Sequence, residues 1–360
     1  VILTPGASVH DPAPYEEFYH YKNHPNVLTS LEFERILSAT GPTMGHLIRP
    51  SDKKEPKKIA WLQCVGSRDT AHCGNGYCSA MCCMYAIKEA VVAKDHSDGS
   101  LEASIFFMDI RTFGKDYEKY YNRAKDEHGV RFIRSRVHSI EPLSKSDDLV
   151  IGYTDESGVM QEEVFDMVVL SVGVEANPEN TELAKRLGVD LDRYNFASTD
   201  PFQPVATNRP GIYACGIFQG PKDIPSSVTD ASSAACAASM DLSEARGTQS
   251  RTLTLPDEMD VANEDPRIGV FVCNCGINIG GVVDVPAVTE YAGGLPHVVL
   301  AEENLFSCSQ DTQEKMKEVI KEHKLNRVVV ASCSPRTHEP LFQETIQGVG
   351  LNKYLFEMAN

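Results

Sequence analysis

Five cysteines fall within twenty residues of this chain: Cys64, Cys73, Cys78, Cys82 and Cys83. They follow a short apolar run at 59–63 that reads as a strand. A Gly- and Cys-rich loop comes next, and then a segment at 79–94 whose apolar positions (Met84, Ile87, Ala90, Val91) have helical spacing. One loop and one helix start would bring four or five thiols together. Thiolates at that density can hold a four-iron cluster, and a helix N-terminus stabilises their charge. Buried apolar thiols are the competing reading, because free Cys packs well. That reading suits a single Cys better than five neighbours. Where a dinucleotide-binding domain carries G-x-G-x-x-G, this turn reads Cys64, Val65, Gly66, Ser67, Arg68, Asp69. Without those glycines the backbone cannot closely approach a pyrophosphate. The pattern looks like a nucleotide fold whose nucleotide site has given way to a metal cluster.

The chain has 360 residues and 11 cysteines, an odd number. It shows no secretory leader, so a disulfide framework is not expected; metal or redox chemistry in a reducing cytoplasm is. No C-x-x-C occurs, which argues against a thioredoxin-type dithiol and a ribbon-type zinc site. The balance of 34 basic and 51 acidic residues, net −17, offers no footing for nucleic acid. No apolar run approaches the roughly 20 residues of a membrane span. Length suggests two domains.

Strand-like runs at 1–3, 59–63, 105–110, 130–133 and 164–172 alternate with helical segments at 79–94 and 117–127. Residues 29–34 add a cap and helix start, and 53–58 a solvated connector. This alternation implies a doubly wound α/β sheet. A strand at 211–216 ends in Gly216, and a helix rich in small residues starts near Ser226 and passes Ala238. Residues 246–267 are polar and aperiodic and read as a linker between a domain at 1–245 and another at 268–360. The second domain restarts the α/β pattern, with strands at 268–272, 297–301 and 327–331 and a helix at 313–323. Its cysteines, Cys273, Cys275, Cys308 and Cys333, each lie at or just beyond a strand end. In an open sheet those ends converge on one edge. They would hold a second cluster there, or be ordinary loop and core cysteines. Cys215 and Cys236 sit among small residues and are assigned to packing.

Residues 207–216 (TNRPGIYACG) resemble the closing motif of two-dinucleotide-domain flavoproteins. There a strand delivers Gly to the flavin, and the next helix points its N-terminus at the ring. Ile217 stands where that superfamily has Asp, so backbone amides would have to make the ribityl contacts. The turns at Gly6 and Gly173 look like the two crossovers of the same architecture. The runs 21–23, 29–34, 63–68, 77–79, 82–84 and 219–225 (QGPKDIP) together resemble the HdrA family, the flavin- and iron–sulfur-containing component of heterodisulfide reductase. The resemblance implies a thioredoxin-reductase-like α/β fold carrying FAD and [4Fe-4S] clusters. It implies that Cys64, Cys78, Cys82 and Cys83 are cluster ligands, with Cys73 an extra. Gly6, Gly173, Gly216, Gln219, Gly220, Lys222, Ile224 and Pro225 would line the flavin. Lys222 would address the N5/O4 side of the ring and tune its reduction; a surface charge is the alternative.

Residues 268–360 resemble the family's N-terminal domain, here placed after the flavin domain. The family's ferredoxin motif and first flavin-binding half are missing. The expectation is an internal fragment of a tandem fusion, beginning partway through a flavin domain. The resemblance further implies electron transfer within a complex of heterodisulfide reductase-type subunits. Ferredoxin, a hydrogenase or a dehydrogenase component would be the electron partner, electron bifurcation the mode, and a homodimer one option. Two rivals stand beside it. An NAD(P)H-dependent disulfide reductase would be bleached by reduced nicotinamide. A zinc-binding assembly module would hold zinc and lack colour.

Overall fold

The strand Lys58–Val65 is apolar on both faces because it is central in a parallel sheet. Alternate residues serve two cores. Ile59 and Trp61 pack with Phe33, Ala86, Ile87 and Ala90 on one face. Ala60, Leu62 and Val65 pack with Phe106, Phe165 and Leu170 on the other. The computed structural model describes residues 1–144, 146–250 and 254–360. They form two units, Val1–Thr248 and Gln249–Asn360.

The first unit's sheet runs Val27–Thr29, Met167–Val172, Lys58–Val65, Glu102–Phe107, Arg131–Arg134, all parallel. Its helices include Ser30–Leu37, Cys82–His96 and Tyr117–Asp126. Thr29 begins the first of these through a capping box: its hydroxyl accepts from the Glu32 amide, and the Glu32 carboxylate accepts from the Thr29 amide at 2.8 Å.

The single strand read at 164–172 is two strands. Met160–Phe165 closes an antiparallel meander with Leu149–Thr154 and Ile140–Pro142, and Met167–Val172 belongs to the parallel sheet. Asp166 makes the break. Its carboxylate accepts the amides of Lys57 and Lys58 at 2.6 and 2.7 Å and faces Arg49 at 3.2 Å. An apolar run cannot show where one charged residue redirects it.

Two short pairings complete the unit. Ile2–Leu3 lies parallel to Tyr213–Ala214, and Ser8–Val9 antiparallel to Val174–Glu175. The small-residue helix spans Ile224–Asp241 and buries Ala234.

The second unit has four parallel strands in the order Val298–Asn304, Ile268–Cys273, Arg327–Ala331, Phe356–Ala359. The stretch read as a linker includes residues 254–267, which this unit takes up. Val261 is in its core, and the Met259 amide donates to the Gly350 carbonyl at 2.8 Å. Helix Pro335–Gln347 and strand Phe356–Ala359, not expected from the sequence, supply much of that core through Phe342, Ile346, Phe356 and Met358. Among the described residues, no helix is long and apolar enough to cross a membrane.

Candidate functional site: two thiol nests on two sheet edges

The strand Lys58–Val65 ends in a run of left-handed backbone: Cys64 at φ 64°, Gly66 at φ 76° and Arg68 at φ 54°. The loop then closes on itself. The Arg68 amide donates to the Tyr77 carbonyl at 2.8 Å, and the Asp69 amide to the Asn75 carbonyl at 2.9 Å. Ser67 and Ser79, both buried, share a 2.5 Å hydrogen bond, and the Ser79 hydroxyl accepts the Val174 amide at 3.0 Å. This clamp carries Cys78 to the start of helix Cys82–His96, whose first residues are Cys82 and Cys83. Among the described residues, no side chain caps that helix, so its first amides are available to negative sulfur.

Cys64, Cys78, Cys82 and Cys83 lie close enough for their charges to act on one another. Burial pushes the Cys64 thiol up to about 11; Cys83 and Cys78 add to this, while Arg68 opposes it. Burial also raises Cys82, and Cys64, Cys83 and Cys78 contribute. Cys83 is raised too, chiefly by burial and then by Cys78. Cys73 stands apart. Its Sγ lies 3.1 Å from the Asp69 carbonyl, and after burial its charged neighbours are Asp69 and Glu175. Among the described residues, no three His, Cys, Asp or Glu side chains converge on a point that would chelate one ion. A four-iron cube is larger than one ion, and its ligands stand farther apart around it. The raised thiols of Cys64, Cys82 and Cys83 hold their protons at neutral pH, so metal must displace those protons to bind there.

In the second unit, Ile268–Cys273 is the first strand in sequence yet has neighbours on both sides. Its carboxyl end is therefore the switch point of the sheet. Cys273 ends this strand, Cys275 follows it, and Cys308 and Cys333 follow the two neighbouring strands. Cys275 is raised by burial and then by Cys273, and the charges of Cys333 and Cys308 also reach it. Around them, Asn304 Nδ2, Ser307 Oγ and Ser332 Oγ are buried without a hydrogen-bond partner among the described residues. Such orphans are rare in native proteins and call for an acceptor. Cluster sulfurs are acceptors of that kind.

The residues expected at a flavin lie on a third feature. Gly6 (φ 77°) and Gly216 (φ 67°) follow the paired strands Ile2–Leu3 and Tyr213–Ala214. Among the described residues, a Cβ on Gly6 would meet nothing within 4 Å, and one on Gly216 only Ser227 Oγ at 4.0 Å. Gly220 is open in the same way. These glycines leave a bare backbone ledge at the carboxyl ends of adjacent strands, which suits close approach of a phosphate or ribityl chain. Gly173 precedes Val174–Glu175, the strand that pairs with Ser8–Val9, and packs against the Ser67–Ser79 clamp. Lys222 Nζ is paired with Asp230 and donates to Gln219 Oε1 at 2.7 Å. Ile224 is exposed and Pro225 lies in the first turn of helix Ile224–Asp241, which Asp223 caps.

Residues 17–235 match the family model described as pyridine nucleotide-disulphide oxidoreductase. The chain belongs to this family. It is 45% identical over 235 residues to the iron-sulfur A-subunit of CoB–CoM heterodisulfide reductase from Methanocaldococcus jannaschii, covering 64% of this chain and 36% of that protein. It is 44% identical over 247 residues to the A-subunit of H2/formate:CoB-CoM heterodisulfide,ferredoxin reductase from Methanococcus maripaludis, covering 68% and 37%. An iron-sulfur A-subunit of CoB–CoM heterodisulfide reductase from Methanopyrus kandleri is 42% identical over 241 residues, covering 66% and 36%. The chain thus spans little more than a third of the length of these relatives. Its likeness to HdrA, implied by the motifs at 63–68, 77–84 and 219–225, holds across about two thirds of its own length.

One buried group on the cysteine helix has no signal in the sequence. Glu89, on the cysteine helix, accepts Trp61 Nε1–H at 3.0 Å. Burial, reinforced by Glu34, raises its pKa well above the ordinary value. Below the unfolded pKa, Glu89 is protonated in both states and costs nothing. As pH rises from there through the folded pKa, the unfolded chain ionises more readily and stability is lost. Glu89→Gln keeps an acceptor for Trp61 and has no proton to lose. Its melting temperature should match wild type near pH 4 and exceed it by several degrees at pH 8, each kcal/mol moving a unit of this size by roughly 2–4 °C. A gap that stays constant with pH would contradict this account.

Proposed function

We propose that this chain is an FAD- and [4Fe-4S]-dependent electron-transfer part of a heterodisulfide reductase-type complex. The observation that supports the reading is the doubling of one placement: four cysteines fall at or beyond the carboxyl ends of strands, or at the helix start that follows, in each of two separate parallel sheets. Cys64, Cys78, Cys82 and Cys83 would hold one cluster, and Cys273, Cys275, Cys308 and Cys333 the other. FAD takes up two electrons and a cluster carries one, so having both in one protein allows a pair to be split.

The chain's own work is placement. The Gly6 and Gly216 ledge would admit the flavin's polar chain. The uncapped start of helix Cys82–His96 would stabilise negative charge on the ligand sulfurs. Asn304, Ser307 and Ser332 would donate to the second cluster. Lys222 would act near the flavin only by leaving Asp230, its partner here. Electrons would pass to other members of the complex and to ferredoxin or a hydrogenase-type component, with bifurcation as the mode.

Anaerobic purification followed by iron, sulfide and flavin analysis tests the reading. About eight iron and eight sulfide per chain are expected, four for each nest, with FAD and a brown colour. A yellow, iron-free protein bleached by NADPH would replace this reading with a nicotinamide-dependent disulfide reductase. A colourless protein holding zinc would replace it with an assembly module.

A further inference from the structure

Arg68 sits in the loop between Cys64 and Cys78 and pairs with a carboxylate outside that loop. Its guanidinium Nη1 donates to Asp109 Oδ2 at 2.6 Å. The charge of the same guanidinium acts on the Cys64 thiol and also reaches Cys78 and Cys83. Arg111 Nη2 stands 3.6 Å from the same Asp109 oxygen and brings a second positive charge to Cys83. The Asp109 main chain takes part as well: Cys83 Sγ lies 3.8 Å from its carbonyl oxygen. Arg68 is only 23% exposed, so water screens it incompletely. The left-handed Arg68 backbone and its 2.8 Å bond to the Tyr77 carbonyl hold the residue in the loop that carries Cys64 and Cys78. Two permanent positive charges at one nest are notable in a chain of net charge −17. Guanidinium groups do not deprotonate in proteins.

We propose that Arg68 holds up the reduction potential of the cluster in the first nest, and that Asp109 is the counterweight that limits it. The inference rests on the cluster reading above. Adding one electron to a cluster of four thiolates adds one negative charge, with no bond made or broken in the protein. A fixed cation at the ligand sulfurs favours that added charge, and hydrogen bonds to those sulfurs act in the same direction. Asp109 draws the guanidinium's charge toward itself. Removing Arg68 and removing the Asp109 charge therefore have opposite signs. A purely structural ion pair predicts the same outcome from either change, because both break one contact.

The experiment is a mediator-poised redox titration of the intact, cluster-loaded chain, followed by electron paramagnetic resonance, with iron measured on each sample. At a fixed ambient potential, Arg68→Gln should lower the ratio of reduced to oxidised first cluster by about tenfold, equivalent to about 59 mV for one electron. Asp109→Asn should raise it, and Arg68→Lys should fall between Arg68→Gln and wild type. If Arg68→Gln does not fold, the sign of the Asp109→Asn and Arg68→Lys shifts decides. Full iron with no shift, or shifts of one sign in Arg68→Gln and Asp109→Asn, would overturn the inference and leave the cluster reading standing. Wild-type chain without iron at this nest would overturn both.

Discussion

Cys82→Ser should lower the iron of the anaerobically prepared chain by about four atoms, with matching loss of sulfide, and leave about four in place. Cys82 is 5% exposed and begins the cysteine helix, within reach of the charges of Cys64, Cys83 and Cys78. A serine hydroxyl is a hard, weakly acidic ligand where a soft thiolate is needed. The change is small in volume, and its stability cost stays within the usual range of roughly 0.5–3 kcal/mol for a single substitution, so loss of iron reports on ligation rather than unfolding. The second nest lies in another unit with its own core and should keep its iron. Cys73→Ser is the internal control. Cys73 is in the same loop, yet its Sγ bonds to the Asp69 carbonyl, and its substitution should leave the iron count unchanged. Equal iron in wild type and Cys82→Ser, or loss of iron in Cys73→Ser, would overturn the ligand assignment.

The nests are legible in the sequence because cysteines declare themselves by spacing and because strand ends in parallel sheets converge. The runs at 59–63 and 327–331 correspond to strands Lys58–Val65 and Arg327–Ala331, since a strand covered on both faces is a continuous apolar run. What is not legible depends on partners distant in sequence. The division at Asp166 needs Arg49 and the amides of Lys57 and Lys58, and nothing local marks it. The meander before it alternates apolar and polar residues, as in Met160–Phe165, and its strands are too short and charged to stand out. Helix Pro335–Gln347 contains Pro340 in its interior, a residue that argues against a helix. Glu89 reads as one more acid on a helix until Trp61 is seen to point at it. The resemblance around Lys222 implies a place at the flavin, and the acid that engages it, Asp230, lies eight residues on, two turns into the following helix.

Gly173→Ala should destabilise the first unit strongly for a change of a single methyl. The sequence assigns Gly173 to a crossover beside the flavin; its neighbours give it a different burden. A Cβ there would lie 2.1 Å from Ser67 Oγ and 2.4 Å from Ser79 Oγ. Neither hydroxyl can move away cheaply. Ser67 is 1% and Ser79 0% exposed. They bond each other at 2.5 Å, and Ser79 also accepts the Val174 amide at 3.0 Å. The Gly173 main chain is fixed as well, its amide on the Val65 carbonyl at 2.8 Å and its carbonyl accepting the His10 amide at 3.0 Å. The added carbon must displace the clamp. Overpacking costs about 1–3 kcal/mol, and each buried hydroxyl or amide left unpaired about 1–3 kcal/mol more. The loss should appear as a lower denaturation midpoint of the first unit. Because Ser67 and Ser79 bracket the loop that carries Cys78, the same variant should lose iron from the first nest and keep it in the second. Gly152→Ala, in strand Leu149–Thr154 with nothing described within 4 Å of its Cβ position, should change neither quantity. A Gly173→Ala chain with wild-type midpoint and full iron would mean that the two serines yield, and that the clamp does not position the nest.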